Sequence, residues 1–300
     1  LTPSNREDFF TFTRMLIGQL RQVGKTHTAE RYVTVMNSFG RFRRENELLW
    51  EEVDSDLMVE YETYLKSRGV CPNPSSYYMR GLRAIYNRAV EKGKTVQREP
   101  FKYVYTGIDK TIKRAVPLKV IRQIRDLDLT LFPTMDFARD IFMFSFYTRG
   151  MSFIDMAYLK KKDLQGGTLS YRRQKTGQQL FVKWEKPMQE IVDKYNTNGT
   201  PYLLPIIRDM NADIRRQYKN AAHLVNDKLK KLGEKLGLTV PLTSYVTRHG
   251  WASIARSRNI PLAIISEAMG HDSEKTTRIY LASLDTTSVD KANSRILKAL

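Results

Sequence analysis

Cysteine is all but missing from this 300-residue chain. The single Cys71 cannot close an internal disulfide, and the four histidines (His27, His223, His249, His271) show neither paired spacing nor a cysteine neighbour. Neither a disulfide scaffold nor a zinc site is expected, and no motif calls for any other cofactor. Acidic residues are also short: 32 Asp and Glu stand against 50 Lys and Arg, a formal charge of +18. A field of that size attracts polyanions, although a lysine surplus can also serve solubility alone. No apolar run approaches the roughly 20 residues of a membrane span. Leu1-Thr2-Pro3-Ser4-Asn5 lacks the charged-then-apolar layout of a signal peptide. No membrane partner is expected. The chain opens on Leu1 rather than Met, which leaves open whether a further N-terminal segment precedes it.

With 41% hydrophobic residues, the length suits two domains. Phe9, Phe12, Leu16 and Leu20 recur at helical spacing from Ser4, a capping residue, to about Val23. Further helices are read from Thr28, from Ser55, and from Asn73 through Val90. The last turns Leu82, Ile85, Tyr86 and Ala89 toward a core, while Arg80, Arg83 and Asn87 share another face, either a phosphate-contacting surface or an ordinary solvated one. Gly93, Pro100, Gly107 and Pro117 then break the pattern within a basic stretch. The expected division is a four-helix domain over 1–98, a basic linker over 99–116 and a second domain over 117–300. In the second domain, Phe137 to Phe146 reads as a buried helix. Thr168–Arg172 and Gln178–Lys183 alternate as strands around the turn Lys175-Thr176-Gly177, and helices resume from Asn211. The expected fold class is mainly α with a small antiparallel β-sheet.

Three short motifs follow one another in the last third of the chain: Thr247-Arg248-His249-Gly250, Met269-Gly270-His271, and Thr276-Thr277-Arg278-Ile279-Tyr280, the tyrosine nine residues after His271. Upstream stand Tyr171-Arg172-Arg173-Gln174-Lys175-Thr176-Gly177 and the segment Tyr147 to Asp155. In this order and spacing the chain resembles the tyrosine recombinase (phage integrase) family over about residues 113–285. The resemblance implies an N-terminal core-binding (SAM-like) domain, a C-terminal catalytic domain, and cleavage and rejoining of DNA through a 3′-phosphotyrosine. It implies double-stranded DNA as partner, homo-oligomers, as tetramers, on DNA, and DNA-bending accessory proteins. It also implies a role in integrating or excising a mobile element, and a cytoplasmic, nucleoid-associated location. The two domains are expected to clamp the duplex with the linker crossing it.

The chemistry accounts for the residue types. In-line displacement at a phosphodiester puts charge on the non-bridging oxygens, which planar, permanently charged guanidinium groups meet with paired donors. Arg248 is the first candidate for that role. A phenol of reference pKa about 10 needs nearby cations to attack at neutral pH, and Tyr280 is the expected nucleophile. Lys175 at a hairpin tip is the expected general acid for the departing 5′ oxygen, and His271 is expected to donate to the phosphate or to position Tyr280.

Two positions depart from the family pattern. Tyr245 stands three residues before Arg248, where the family has histidine, and a phenol cannot shuttle protons at neutral pH as imidazole does. Ser152 stands where the family's first arginine would be, and Arg149, three residues earlier and one turn away if the stretch is helical, is the expected replacement. Asp155 is expected to support the site rather than react. The departures leave open a non-catalytic DNA-binding regulator of the same fold, and the shared chemistry leaves open a type IB topoisomerase-like relaxase. After Tyr280, Ser288 could cap a tail helix in which Val289, Ala292, Ile296 and Leu300 form an apolar stripe; the resemblance implies that it docks on a neighbouring protomer, the alternative being that it folds back onto its own domain.

Overall fold

A computed structural model describes residues 8–44, 46–109, 115–281 and 297, the side chains of Ile279 and Tyr280 excepted. The chain divides into two compact units, Leu1–Thr111 and Ile112–Leu300. No described helix is long and apolar enough to cross a membrane.

The first unit holds α1 (Phe9–Gln22), α2 (Thr26–Arg43), α3 (Ser55–Ser67) and α4 (Pro72–Glu91). Helix α1 starts later than its periodicity suggested, because Asp8 caps it: the carboxylate accepts from the Thr11 backbone N–H at 2.9 Å. Ser4 lies outside the described residues. Asp54 caps α3 in the same way, accepting from the Leu57 N–H at 2.9 Å. Four helices can share one small core here because the buried stripes are aromatic. Phe9 meets Phe39 edge to face with ring centres 5.7 Å apart, and Phe39 meets Tyr61 at 4.8 Å. The Tyr61 hydroxyl finds Ser38 Oγ at 2.8 Å, so its burial leaves no unpaired donor.

After α4 the chain returns along the same unit. Phe101 and Val104 are buried in its core, Tyr86 Oη donates to the Val96 carbonyl at 2.7 Å, and Ser76 Oγ donates to the Gly107 carbonyl at 2.5 Å. Asn73 and Asp109 exchange two hydrogen bonds, at 2.8 and 3.1 Å. Of the residues that break the helical pattern, Pro100 and Gly107 therefore lie in a pinned return segment over 95–109.

The second unit is built around α6 (Pro133–Tyr147), whose Ile141, Phe142 and Phe144 are fully buried. Helix α5 (Leu118–Arg125) precedes it and α7 (Phe153–Tyr158) follows. Strands β1 (Leu164–Gln165), β2 (Thr168–Arg172) and β3 (Gln179–Lys183) form one antiparallel sheet in that order, with Tyr171 opposite Leu180. Helix α8 (Lys186–Asp193) leads to α9 (Ile214–Lys235), which lays Val225, Leu229 and Leu232 into the core. Helices α10 (Val246–Ser257), α11 (Leu262–Ala268) and α12 (Glu274–Leu281) gather around Ala252, Ala255, Ile265, Met269 and Leu281. The tail helix expected from Ser288 lies outside the described residues.

Candidate active site

The site begins where α6 stops. The Gly150 N–H donates to the Ser145 carbonyl at 2.8 Å, and the two residues that turn the chain, Arg149 and Gly150, both have positive φ, 64° and 75°. Left-handed backbone costs a residue with a Cβ about 1–2 kcal/mol, so the surrounding structure holds Arg149 in place. Gly150 has a second reason to be glycine: a Cβ there would stand 2.6 Å from Cα of Arg248. That close approach joins the turn to α10. Ser145 Oγ donates to the Met151 carbonyl at 2.7 Å and lies 2.7 Å from Thr247 Oγ1, so a buried hydroxyl pair fixes the residue beside Arg248.

Arg248 itself is buried. Its Nη1 donates to the Gly150 carbonyl at 3.0 Å and its Nη2 to the Met269 carbonyl at 2.5 Å, holding the guanidinium between the 149–151 turn and the end of α11. Arg149 is half-buried, and among the described residues its guanidinium makes no hydrogen bond or ion pair. Ser152 has a different task. It caps α7, accepting from the Asp155 N–H at 3.3 Å and donating to Asp155 Oδ2 at 2.6 Å.

The hairpin reaches the same place from the sheet. Lys175 is exposed at its tip, closed by the Gly177 N–H donating to the Arg173 carbonyl at 2.8 Å. Buried Asp155 ties this tip to the 149–152 turn, accepting from the Gln174 N–H at 2.8 Å. Arg173, not singled out from the motifs, is the unexpected member. It is only 8% exposed, its Nη1 donates to the Gly270 carbonyl, and its Nε stands 3.9 Å from Asp155 Oδ2. The signal was the two-residue alternation of β2 carried one residue past its end, which buries Leu169, Tyr171 and then Arg173.

Gly270, at φ 62°, turns the chain out of α11 where a Cβ would lie 2.8 Å from Cδ of Arg173, and His271 follows. Nδ1 of His271 lies 2.8 Å from Thr277 Oγ1 on α12. Burial, then the Arg248, Arg173 and Lys175 charges, outweigh Asp272 and bring the imidazole pKa down to about 4. The ring is therefore neutral at pH 7. In the free protein an NMR titration of His271 should show a midpoint below 5, and a midpoint near the ordinary 6.5 would contradict this environment. The sign carries into stability: the depressed pKa favours the folded state fully above about pH 6.5, and that contribution is lost as pH falls toward 4.

Arg248, His271 and the Lys175 hairpin are thus linked through Gly150, Asp155 and Gly270, while Tyr280 sits on α12, which His271 contacts through Thr277. The Tyr280 side chain lies outside the described residues. Tyr245, at the start of α10, is 58% exposed, its ring edge-on to His249 with centres 4.8 Å apart. In the other unit, Arg83 and Asn87 are exposed and Arg80 is half-buried. Arg83 Nη1 donates to Thr106 Oγ1 at 3.2 Å, Asn87 Oδ1 accepts from Gln97 Nε2 at 3.4 Å, and Arg80 Nε donates to the Ser76 carbonyl at 3.3 Å.

Guanidinium donors, a neutral imidazole and a hairpin lysine beside a tyrosine-bearing helix are the equipment of the tyrosine recombinases, a class of enzymes that cleave and rejoin DNA. The chain belongs to the phage integrase family: the model of that family matches residues 133–287, and the model of the phage integrase SAM-like domain matches residues 8–111. Tyrosine recombinase XerC of Syntrophus aciditrophicus is 25% identical over 281 residues, 86% of this chain and 87% of that protein. Tyrosine recombinase XerA of Pyrococcus furiosus is 26% identical over 178 residues, 58% of each chain. The XerA match thus spans little more than half of that protein. In fold the chain is similar to a lambda integrase dimer bound to a core site (TM-score 0.69, 14% identity, 92% of this chain and 77% of that one). It is similar also to the XerH site-specific recombinase bound to palindromic difH in a post-cleavage complex (TM-score 0.67, 15% identity, 93% and 84%).

Proposed function

We propose that the protein is a site-specific DNA recombinase that cuts and rejoins strands through a 3′-phosphotyrosine at Tyr280, and that it serves the integration or excision of a mobile element. The observation that carries this reading is the linkage of Arg248, His271 and the Lys175 hairpin to one another and to the helix bearing Tyr280. Arg248 and Arg149 meet the non-bridging oxygens of the scissile phosphate, and the gathered cations favour the phenolate of Tyr280. Its oxygen bonds to phosphorus as the bond to the 5′ oxygen breaks, and Lys175 Nζ gives that oxygen a proton. The phosphotyrosine conserves the bond energy for rejoining. Tyr245 serves as a hydrogen-bond donor where the family has a histidine, and Arg80, Arg83 and Asn87 contact the DNA backbone from α4. Double-stranded DNA is the partner, four protomers act on two duplexes, and accessory proteins bend the DNA. The first unit, which includes the return segment through 109 and so extends past the boundary at 98 read from the chain, binds the core site, and the second, from Ile112, is catalytic.

A nicked DNA substrate provides the test. The unaltered chain should trap itself as a covalent protein–DNA complex, and binding without any adduct would favour a regulator of the same fold. Lys175→Ala should slow cleavage of ordinary DNA about 10²–10⁴-fold. It should slow a substrate with a 5′-bridging sulfur far less, since a thiolate leaves without a proton. Equal slowing on both substrates would remove Lys175 from the general-acid role.

A further inference from the structure

Thr277 stands in the tyrosine-bearing motif without a role in the chemistry, yet it is one of the few fully buried polar side chains in the second unit, at 0% exposure. It lies on α12 three residues before Tyr280, less than one helical turn away. Its hydroxyl is 2.8 Å from His271 Nδ1. That contact can run either way, with the imidazole N–H donating to the hydroxyl or the hydroxyl donating to the imidazole.

The burial of Thr277 decides the direction. A hydroxyl has one proton and two lone pairs, and a buried donor left without an acceptor costs more than an unused lone pair. Among the described residues the Thr277 hydroxyl has one hydrogen-bond contact, His271 Nδ1, and no helix carbonyl one turn back takes its proton. With the imidazole neutral, the proton is satisfied only if Oγ1–H points at an unprotonated Nδ1. The ring must then carry its own proton on Nε2.

We infer that Thr277 is a positioning residue that fixes His271 as the Nε2–H tautomer, making the imidazole a hydrogen-bond donor to the scissile phosphate or to Tyr280 and excluding it as the base that deprotonates the nucleophile. This rests on the recombinase reading above and deepens it. Because the same hydrogen bond joins the Gly270–His271 turn to α12, it also couples the position of the donor to the helix that carries the tyrosine. The hydroxyl of Thr277 therefore does for His271 what an outer partner does for a ligating histidine: it selects the nitrogen that faces the reaction.

The experiment reads the tautomer directly. Long-range ¹H–¹⁵N correlations on the uniformly ¹⁵N-labelled chain at pH 7, where His271 is neutral, should show its Nε2 protonated and its Nδ1 bare. Thr277→Ser, which keeps the hydroxyl, should retain that pattern and cleave the nicked substrate normally. Thr277→Val, which keeps the shape and deletes the hydroxyl, should lose the fixed tautomer. It should form the covalent complex about tenfold more slowly, the loss expected for one net hydrogen bond, with DNA affinity unchanged. A proton on Nδ1 in the unaltered chain would overturn the proposal, as would a valine variant that cleaves at the normal rate. The tautomer of the unaltered chain needs no variant to fold. If that chain forms no adduct at all, the recombinase reading fails while the tautomer still decides the role of Thr277.

Discussion

Tyr280→Phe is expected to bind duplex DNA with the affinity of the unaltered chain and to form no covalent complex with it. The two properties rest on different atoms. On the proposed reading, affinity would come from the basic surface of a protein with formal charge +18, through phosphate contacts whose loss would show as salt dependence, and a phenolic oxygen supplies none of that charge. The adduct, by contrast, needs one oxygen able to attack phosphorus, and phenylalanine has none. Among the other tyrosines near the site, Tyr171 is a poor replacement: it is buried, and burial followed by the Asp155 charge pushes its phenol pKa up despite Arg248, Arg173 and Arg149. Tyr245 is exposed beside α10 and is the more serious competitor. Peptide mapping of any residual adduct separates the cases, and a covalent complex that persists in Tyr280→Phe and maps to Tyr245 would move the nucleophile there.

How much of this was legible in the chain depends on the range of the contacts involved. The hairpin could be read because alternation and a Lys-Thr-Gly turn are local signals, and β2 and β3 differ from the expectation only in the first residue of β3. Helix α6 could be read because a long apolar run has few alternatives. The short helices α5, α7 and α8 could not, since six to eight residues give too few turns to show a period and their stability comes from packing. Arg173 was overlooked because in sequence it is one cation in a basic run. Its importance arises from a carbonyl 97 residues away, that of Gly270. Ser152 illustrates the opposite case: a position that looked like a vacancy in the family pattern is filled locally, by a helix cap that any reading of Ser152-Phe153-Ile154-Asp155 could have found.

Those two residues shape the remaining expectation, which concerns the missing first arginine. Ser152 is occupied with capping α7 and bonding Asp155, and Arg173 is committed to Gly270 and to Asp155. Arg149 is different. Its guanidinium has no hydrogen bond or ion pair among the described residues, and its backbone is held in a left-handed turn whose next residue abuts Arg248. Arg149→Ala should therefore suppress cleavage about 10²–10³-fold, the loss typical of removing one donor aimed at developing charge. Ser152→Ala should cost roughly 1 kcal/mol of stability as a lost cap and leave cleavage nearly unchanged. A methylphosphonate at the scissile position removes the charge that Arg149 would neutralise, so it should restore cleavage by Arg149→Ala. It should not restore Arg173→Ala, whose defect lies in the Gly270–His271 turn, and that variant should instead raise the His271 midpoint from about 4 toward its ordinary value by removing one of the cations that hold it down. Near-normal cleavage of ordinary DNA by Arg149→Ala would show that its guanidinium is structural, and rescue of Arg173→Ala by the methylphosphonate would transfer the first arginine's role to the hairpin.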